Sequence, residues 1–536
     1  MISVLHHSSD AFALNGMNHF LEKYGLSATF NDKSPVISVV YGDAESVRSE
    51  FTVRIADGKV KKCPSGWITF AGEKAPIFEV PKKTPGGRAL VIFTDGKRKF
   101  PCASVKKGTI TIGFDLFSEV GHVLSGSLEG YWSGLSLQEK KEVSKTPTVD
   151  LYEKILFDAL VIVCRESGVP LVHKSFWPDG KKFAVCLTHD VDEIRKTYQH
   201  ITRPLKLMKN GDLRGIRGQI TSMKHKIQGN EPYWTFDELM AIEKKLGVKS
   251  TFFFLRETAP VKLHDPKTWK HYGRRYDFCN EKICRVIENL RSGGWEVGLH
   301  GSYESYKKPD MLKEEKSMLE GILKERVNGT RQHNLNLQIP ETFLHHEKIG
   351  FEYDTSLGHK DSTGFRWGTC FPFHPVNEYE KKGMKLLEIP LSVMDIVLFS
   401  TKDHWKTLTG IESEVEKYGG ALTLLWHHTV FNEHDFPGWG AVYEKIVRVS
   451  NERGAWVTNC REICNWWKRR EKTKVSSSFS EGRLMIKASP AGQEHFIKIY
   501  KMGKGKIAVK GGKVVREDNK SVTIKTLGRA EVILGC

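Results

Sequence analysis

Between Lys182 and Trp467, short apolar strands alternate with helical stretches, and this alternation constrains the fold more than any other feature of the chain. The strand-like pieces are FAVCLTH, STFFFL, WEVGLHG, TRQHNL, YDTSLG, LLEIPLSV, ALTLLWHH and AWVTNC. Strands this apolar, with helices between them, predict parallel β/α units whose sheet is covered on both faces. Seven or eight such units predict an α/β chain built around a distorted (β/α)7–8 barrel over 182–470. No glycine-rich phosphate loop follows the first strand, which weighs against a doubly wound nucleotide fold. The flanks read as a small N-terminal α/β domain over 1–135 and a helical linker over 136–181. The linker carries an apolar stripe at Leu151, Ile155, Leu156, Leu160 and Val163. A basic, β-rich module is expected over 476–536, after a linker at Ser476, Ser477 and Ser478.

The chemistry-bearing residues follow one rule in the central region. One strand ends in His189-Asp190-Val191-Asp192 and another in His300-Gly301-Ser302-Tyr303. TRQHNL carries Arg331 and His333, YDTSLG carries Asp354, and TLLW runs into His427-His428. In a β/α barrel the C-terminal strand ends form one face, where active sites sit. An Asp-His set binds a borderline divalent metal such as zinc, and three protein ligands leave a position for water. A nearby carboxylate then takes the proton of that water, and a histidine protonates the leaving group. The set suits metal-assisted hydrolysis of an amide or ester. Bland roles compete at each position. Asp190 or Asp192 alone suits a helix cap and His300 a satisfied structural histidine, but two aspartates at i and i+2 after an apolar strand favour a site. Adjacent His427 and His428 point opposite ways in a strand, so at most one of them faces the pocket. Trp426, Trp466 and Trp467 are expected in the core rather than as sugar platforms.

Taken in order, these motifs resemble the polysaccharide deacetylase family, the metal-dependent carbohydrate esterases similar to nodulation-factor deacetylases. The resemblance covers about 182–467 and an extra N-terminal domain lies outside it. THDVD at 188–192 is similar to the motif whose first Asp is the catalytic base and whose later Asp binds metal, which implies Asp190 as base and Asp192 as ligand. EVGLHGSY at 296–303 implies His300 as ligand, TRQH implies Arg331 as the group orienting the base, YDTS implies Asp354 as the carboxylate steering the catalytic histidine, and LLWH implies His427 as general acid. The implied substrate is an N-acetylated sugar or glycoconjugate. The family's second histidine, four residues after the first, is replaced by Glu304. The third ligand is therefore Glu304, or His333, or absent. His333 is preferred because it lies beside Arg331 at a strand end. Arg366, with its planar fork, and Tyr303 are candidates for substrate contact.

Charge and cysteine usage bound the remaining classes. Lys and Arg number 82 against 64 Asp and Glu, a formal net charge of +18. The charge concentrates in Arg195 to Lys226 and in the tail, without the signature of a nucleic-acid module, and fits a solvated surface, an acidic membrane or an anionic substrate. Ten cysteines without a CxxC pair read as reduced thiols, and Cys460 with Cys464 lacks the second pair that a structural zinc needs. With no apolar run of spanning length and no export signal, the expected location is cytoplasmic. The rival to a hydrolase is a degenerate, non-catalytic barrel that binds a polyanion or carbohydrate through basic surfaces. The sequence leaves the oligomeric state open.

Overall fold

The structure, a computed structural model, describes residues 2–6, 8–30, 35–42, 49–262, 264–265, 268–503 and 507–534. Cys536 lies outside them. The N-terminal region is a mixed sheet of nine strands, parallel from Ile2–His6 to Thr109–Ile112 and antiparallel beyond. Its first helix, Ala11–Tyr24, starts where the Asp10 side chain accepts from the Phe12 N–H and ends on Gly25 at φ 60°. This helix crosses Leu116–Leu124 at glycines: a Cβ on Gly16 would lie 2.0 Å from the Phe117 carbonyl, and one on Gly121 2.0 Å from that of Phe12. Only glycine permits that approach.

The central region is a curled parallel sheet. Its order is Leu387–Glu388, Tyr353–Asp354, Gly329–Gln332, Glu296–Gly301, Thr251–Leu255, Ala184–Val191, Ala421–Leu425 and Val393–Met394. The two edge pieces belong to one segment, 387–394, which pairs with Tyr353–Asp354 at its start and with Ala421–Leu425 at its end. That segment bridges the edges, so the strand ends gather on one rim. The strands are apolar on both faces because helices cover the outside and side chains fill the inside. Phe252, Phe253 and Phe254 are all fully buried. Trp426, Trp466 and Trp467 are buried in the same core.

Two segments differ from the sequence expectation. Ser476, Ser477 and Ser478 lie inside the strand Lys474–Ser480, where alternate residues face inward in a sheet that masks any linker-like composition. Leu171–Lys174, within the segment expected to be a helical linker, pairs antiparallel with His495–Tyr500 and so belongs to the C-terminal sheet. Among the described residues, no helix is long and apolar enough to cross a membrane.

The N-terminal region and the central sheet share one apolar core, and a buried ion cluster ties them. The Lys23 ammonium donates to Asp150 at 2.6 Å and to Glu153, while Asp150 accepts from the Thr369 hydroxyl and the Cys370 N–H. Burial pushes the Glu153 carboxyl up to about 7 against the pull of Lys23. Removing the cation strands two buried carboxylates. Lys23→Ala is therefore expected to cost about 3–5 kcal/mol in urea unfolding, and a loss under ~1 kcal/mol would contradict this role.

Candidate active site

Strand alternation sets which side chains enter the rim. Along Ala184–Val191, Thr188 and Asp190 point one way, into contact with Arg331. His189 points the other way, its Nδ1 donating to the Trp426 carbonyl at 2.6 Å and its Nε2 lying 3.0 Å from a Glu243 carboxylate oxygen in the outer layer. Arg331 is fully buried. Its guanidinium donates to Asp190 Oδ1 at 2.9 Å, to the Thr188 hydroxyl at 2.8 Å, and to the carbonyl and hydroxyl of Thr355 at 3.0 and 3.1 Å. A cation taken out of water needs this many partners to persist.

Asp192, His300 and His333 converge beside that pair. His300 Nε2 lies 3.2 Å from Asp192 Oδ1, His333 Nδ1 lies 3.4 Å from the same oxygen, and the two ring nitrogens are 3.2 Å apart. A tetrahedral zinc with bonds of about 2.0–2.1 Å has ligand–ligand edges of roughly 3.3–3.4 Å, so the triangle fits a borderline divalent cation. Asp192 Oδ1 is buried and no hydrogen bond satisfies it, the condition expected of a ligand oxygen. His300 Nδ1 donates to the Arg331 carbonyl at 2.9 Å, which turns Nε2 toward the cluster. Directly after His333, Asn334 and Leu335 both take positive φ, 56° and 51°, a strained turn of the kind that holds functional side chains.

The electrostatics divide the groups into roles. Burial alone would raise Asp190, yet His300, Arg331 and His427 hold its carboxyl below the usual range. Asp192 is held well below it, burial being outweighed by His333 and Arg274. His427 is the opposite case. Burial disfavours its charge, but Asp395, Asp192 and Asp190 lift it to about 9, so the imidazolium is present at neutral pH. Its Nδ1 donates to Asp395 at 2.9 Å, its backbone N–H to the same carboxylate at 2.6 Å, and its Nε2 points toward Asp192 at 3.9 Å. His428 turns away, stacked on Phe236 with centroids 4.8 Å apart, and burial takes it down to about 4. Asp192 and His427 keep side-chain exposures of 16% and 12%, so they face the opening.

Asp190, Asp192, His300, Arg331, His333 and His427 are thus brought together, and three expected residues are not. Asp354 does not reach His427. Its carboxylate accepts from the Ser356 hydroxyl (2.6 Å), and that hydroxyl accepts from the Gln332 N–H, which braces the strand end between Arg331 and His333. Glu304 turns outward to Lys307 at 2.9 Å, because the one-turn 3-10 helix Ser305–Lys307 carries it off the rim. Arg366 donates to Glu129 and to the Gly358 carbonyl, an ion pair between regions of the fold and not a free anion fork. Tyr303 sits beside the cluster, half-buried, with its ring 6.4 Å from that of His333.

The sequence expectation missed two residues. Asp395 directly follows the strand Val393–Met394, so the strand-end rule extended by two residues past LLEIPLSV reaches it. Arg274 donates to His333 Nε2 at 2.7 Å and lies 3.7 Å from Asp192; it comes from a loop, where that rule has no purchase. Its donation to Nε2 places the proton of a neutral His333 on Nδ1, so ligation through Nδ1 requires Arg274 to turn aside.

No protein-family profile matches the sequence, and no curated protein matches it. Among solved structures, the chain is similar to a "putative polysaccharide deacetylase from Mycobacterium smegmatis" at 19% identity, covering 57% of this chain and 98% of that one, with a TM-score of 0.37. An allantoinase matches at 15% identity over 55% and 93% of the two chains, TM-score 0.36. A CE4 family pseudoenzyme from Bacillus anthracis matches at 14% over 53% and 66%, TM-score 0.27. Likenesses of this size carry no inference about chemistry, which has to come from the side chains.

Loss of the His333 ring is expected to weaken zinc binding by about 10–100-fold or more in His333→Ala, while Glu304→Ala binds zinc as the unaltered chain does. Isothermal titration on both variants checks this. The reverse pattern would return the third position to Glu304.

Proposed function

We propose that the chain is a cation-dependent hydrolase that removes an acetyl group from an N-acetylated amino sugar or its glycoconjugate. The observation that carries this reading is the Asp192–His300–His333 triangle, whose edges match a tetrahedral cation and which is flanked by an ionised carboxylate and a charged imidazole. A divalent cation held by these three residues supplies Lewis-acid polarisation of the amide carbonyl and a more acidic water.

The chain's own groups do the rest. Arg331 occupies Asp190 Oδ1 and so orients the carboxylate, leaving Oδ2 to take the proton of the attacking water. The water oxygen forms a bond to the acetamide carbon. As the carbon–nitrogen bond breaks, His427 Nε2 delivers its proton to the departing nitrogen, giving acetate and a free amine. Asp395 holds the His427 ring in position through Nδ1 and stabilises its charged form, as a carboxylate behind a catalytic imidazole does. Tyr303, at the edge of the cluster, offers a face for the sugar.

Acetate release from oligomers of N-acetylglucosamine by the zinc-loaded protein tests the proposal. Asp190→Asn is expected to lower kcat by about 10²–10⁴-fold with zinc content unchanged. Asp395→Asn is expected to lower it by about tenfold or more while binding zinc normally. A zinc-loaded protein that releases no acetate from any N-acetylated sugar, or an Asp190→Asn variant as active as the original, would overturn the assignment.

A further inference from the structure

The basic stretch singled out in the sequence folds into a helical hairpin, Gln199–Lys209 followed by Leu213–Ile227, that hydrolysis does not use. Its outer surface is unusual in two ways at once. The first helix exposes Ile201, Leu205 and Met208 at 68%, 56% and 54%. The second exposes Leu213, Ile220 and Ile227 at 72%, 54% and 80%, a stripe with a seven-residue period. Met223, at 42%, is exposed on the same helix, and the other exposed large apolar side chains among the described residues lie elsewhere in the chain. Between these apolar positions stand seven basic residues, Arg203 through Lys226, against the single acid Asp212, whose carboxylate caps the second helix by accepting from the Gly215 N–H.

The hairpin is also fixed in place. Asp435 accepts from Lys196 and from the Gln219 amide at 2.7 Å each, and the Asp435 carbonyl accepts from Arg203 at 2.7 Å. Lys196 lies four residues past Asp192, and Asp435 eight past His427. The exposed face is therefore anchored to both loops that open the candidate site.

We infer that this hairpin docks the protein on an anionic phospholipid surface. Exposed aliphatic side chains at helical spacing enter the headgroup boundary, and the lysines and arginines between them neutralise lipid phosphates. Charge selects this occupant over the others. A second copy would set one basic face against another, and a nucleic acid would meet the basic groups but leave the Ile, Leu and Met side chains uncovered.

Co-sedimentation of the full chain with phosphatidylglycerol vesicles, against phosphatidylcholine vesicles, tests this without reference to any enzymatic activity. Partition onto the anionic vesicles is expected to be at least about tenfold stronger and to weaken with salt. A chain carrying Leu213→Ser, Ile220→Ser and Ile227→Ser, and a second carrying Arg214→Glu and Arg217→Glu, are each expected to lose about tenfold or more of that partition. All five positions are exposed, so thermal unfolding and zinc content stay as in the original chain. Equal partition onto both vesicle types, or either variant binding as the original does, would overturn the inference. So would a concentration-dependent dimer abolished by the serine variant while vesicles leave the protein in the supernatant.

Discussion

A fully buried guanidinium sits where the strand ends of the central sheet meet, and the candidate site depends on how that charge is compensated. Arg331 spends its donors on Asp190, on Thr188 of the same strand, and on Thr355 from the neighbouring loop. Its own carbonyl accepts from His300. One residue thereby sets the orientation of the carboxylate proposed as base and the tautomer of an imidazole proposed as ligand. Removing a buried cation from such a network leaves a buried carboxylate unpaired, which is why interior ion pairs are costly to break even when their net contribution to stability is small.

Around that charge, the groups sort by what the surroundings do to their protons. Burial alone would neutralise every ionisable group in the cluster. Asp190 and Asp192 stay ionised because cationic and imidazole groups outweigh it, and His427 stays charged because three carboxylates surround it. A carboxylate able to accept a proton beside an imidazolium able to give one is the pairing that acid–base chemistry near neutral pH requires. Arg274 adds a constraint of its own, since its hydrogen bond to His333 competes with ligation through the ring's other nitrogen.

Much of this was legible in the sequence because the rule was geometric: apolar strands place the residue at their C-terminal end on one rim, whatever lies between them. That rule reaches Asp190, His300, Arg331 and His427 without help from neighbours in the chain. It fails where distance along the sequence misleads. Glu304 is closest to His300 in number, but a single 3-10 turn sends it to Lys307, whereas His333, thirty-three residues away, is delivered by the adjacent parallel strand. Asp395 was hidden by a strand only two residues long, too short to show an alternation. Asp354 sits at a strand end as expected, yet it braces Gln332 through Ser356 instead of reaching His427. Ser476 to Ser478 illustrate the same limit in the flank, since a half-exposed strand alternates polar residues that resemble a linker.

X-ray absorption spectroscopy on the zinc-loaded full chain tests the account most directly. The convergence of Asp192, His300 and His333 predicts two imidazole nitrogens and carboxylate oxygen around the bound ion, with first-shell distances of about 2.0–2.1 Å. A spectrum showing sulfur ligation, one imidazole or none would contradict it, as would a protein that retains no zinc after gel filtration.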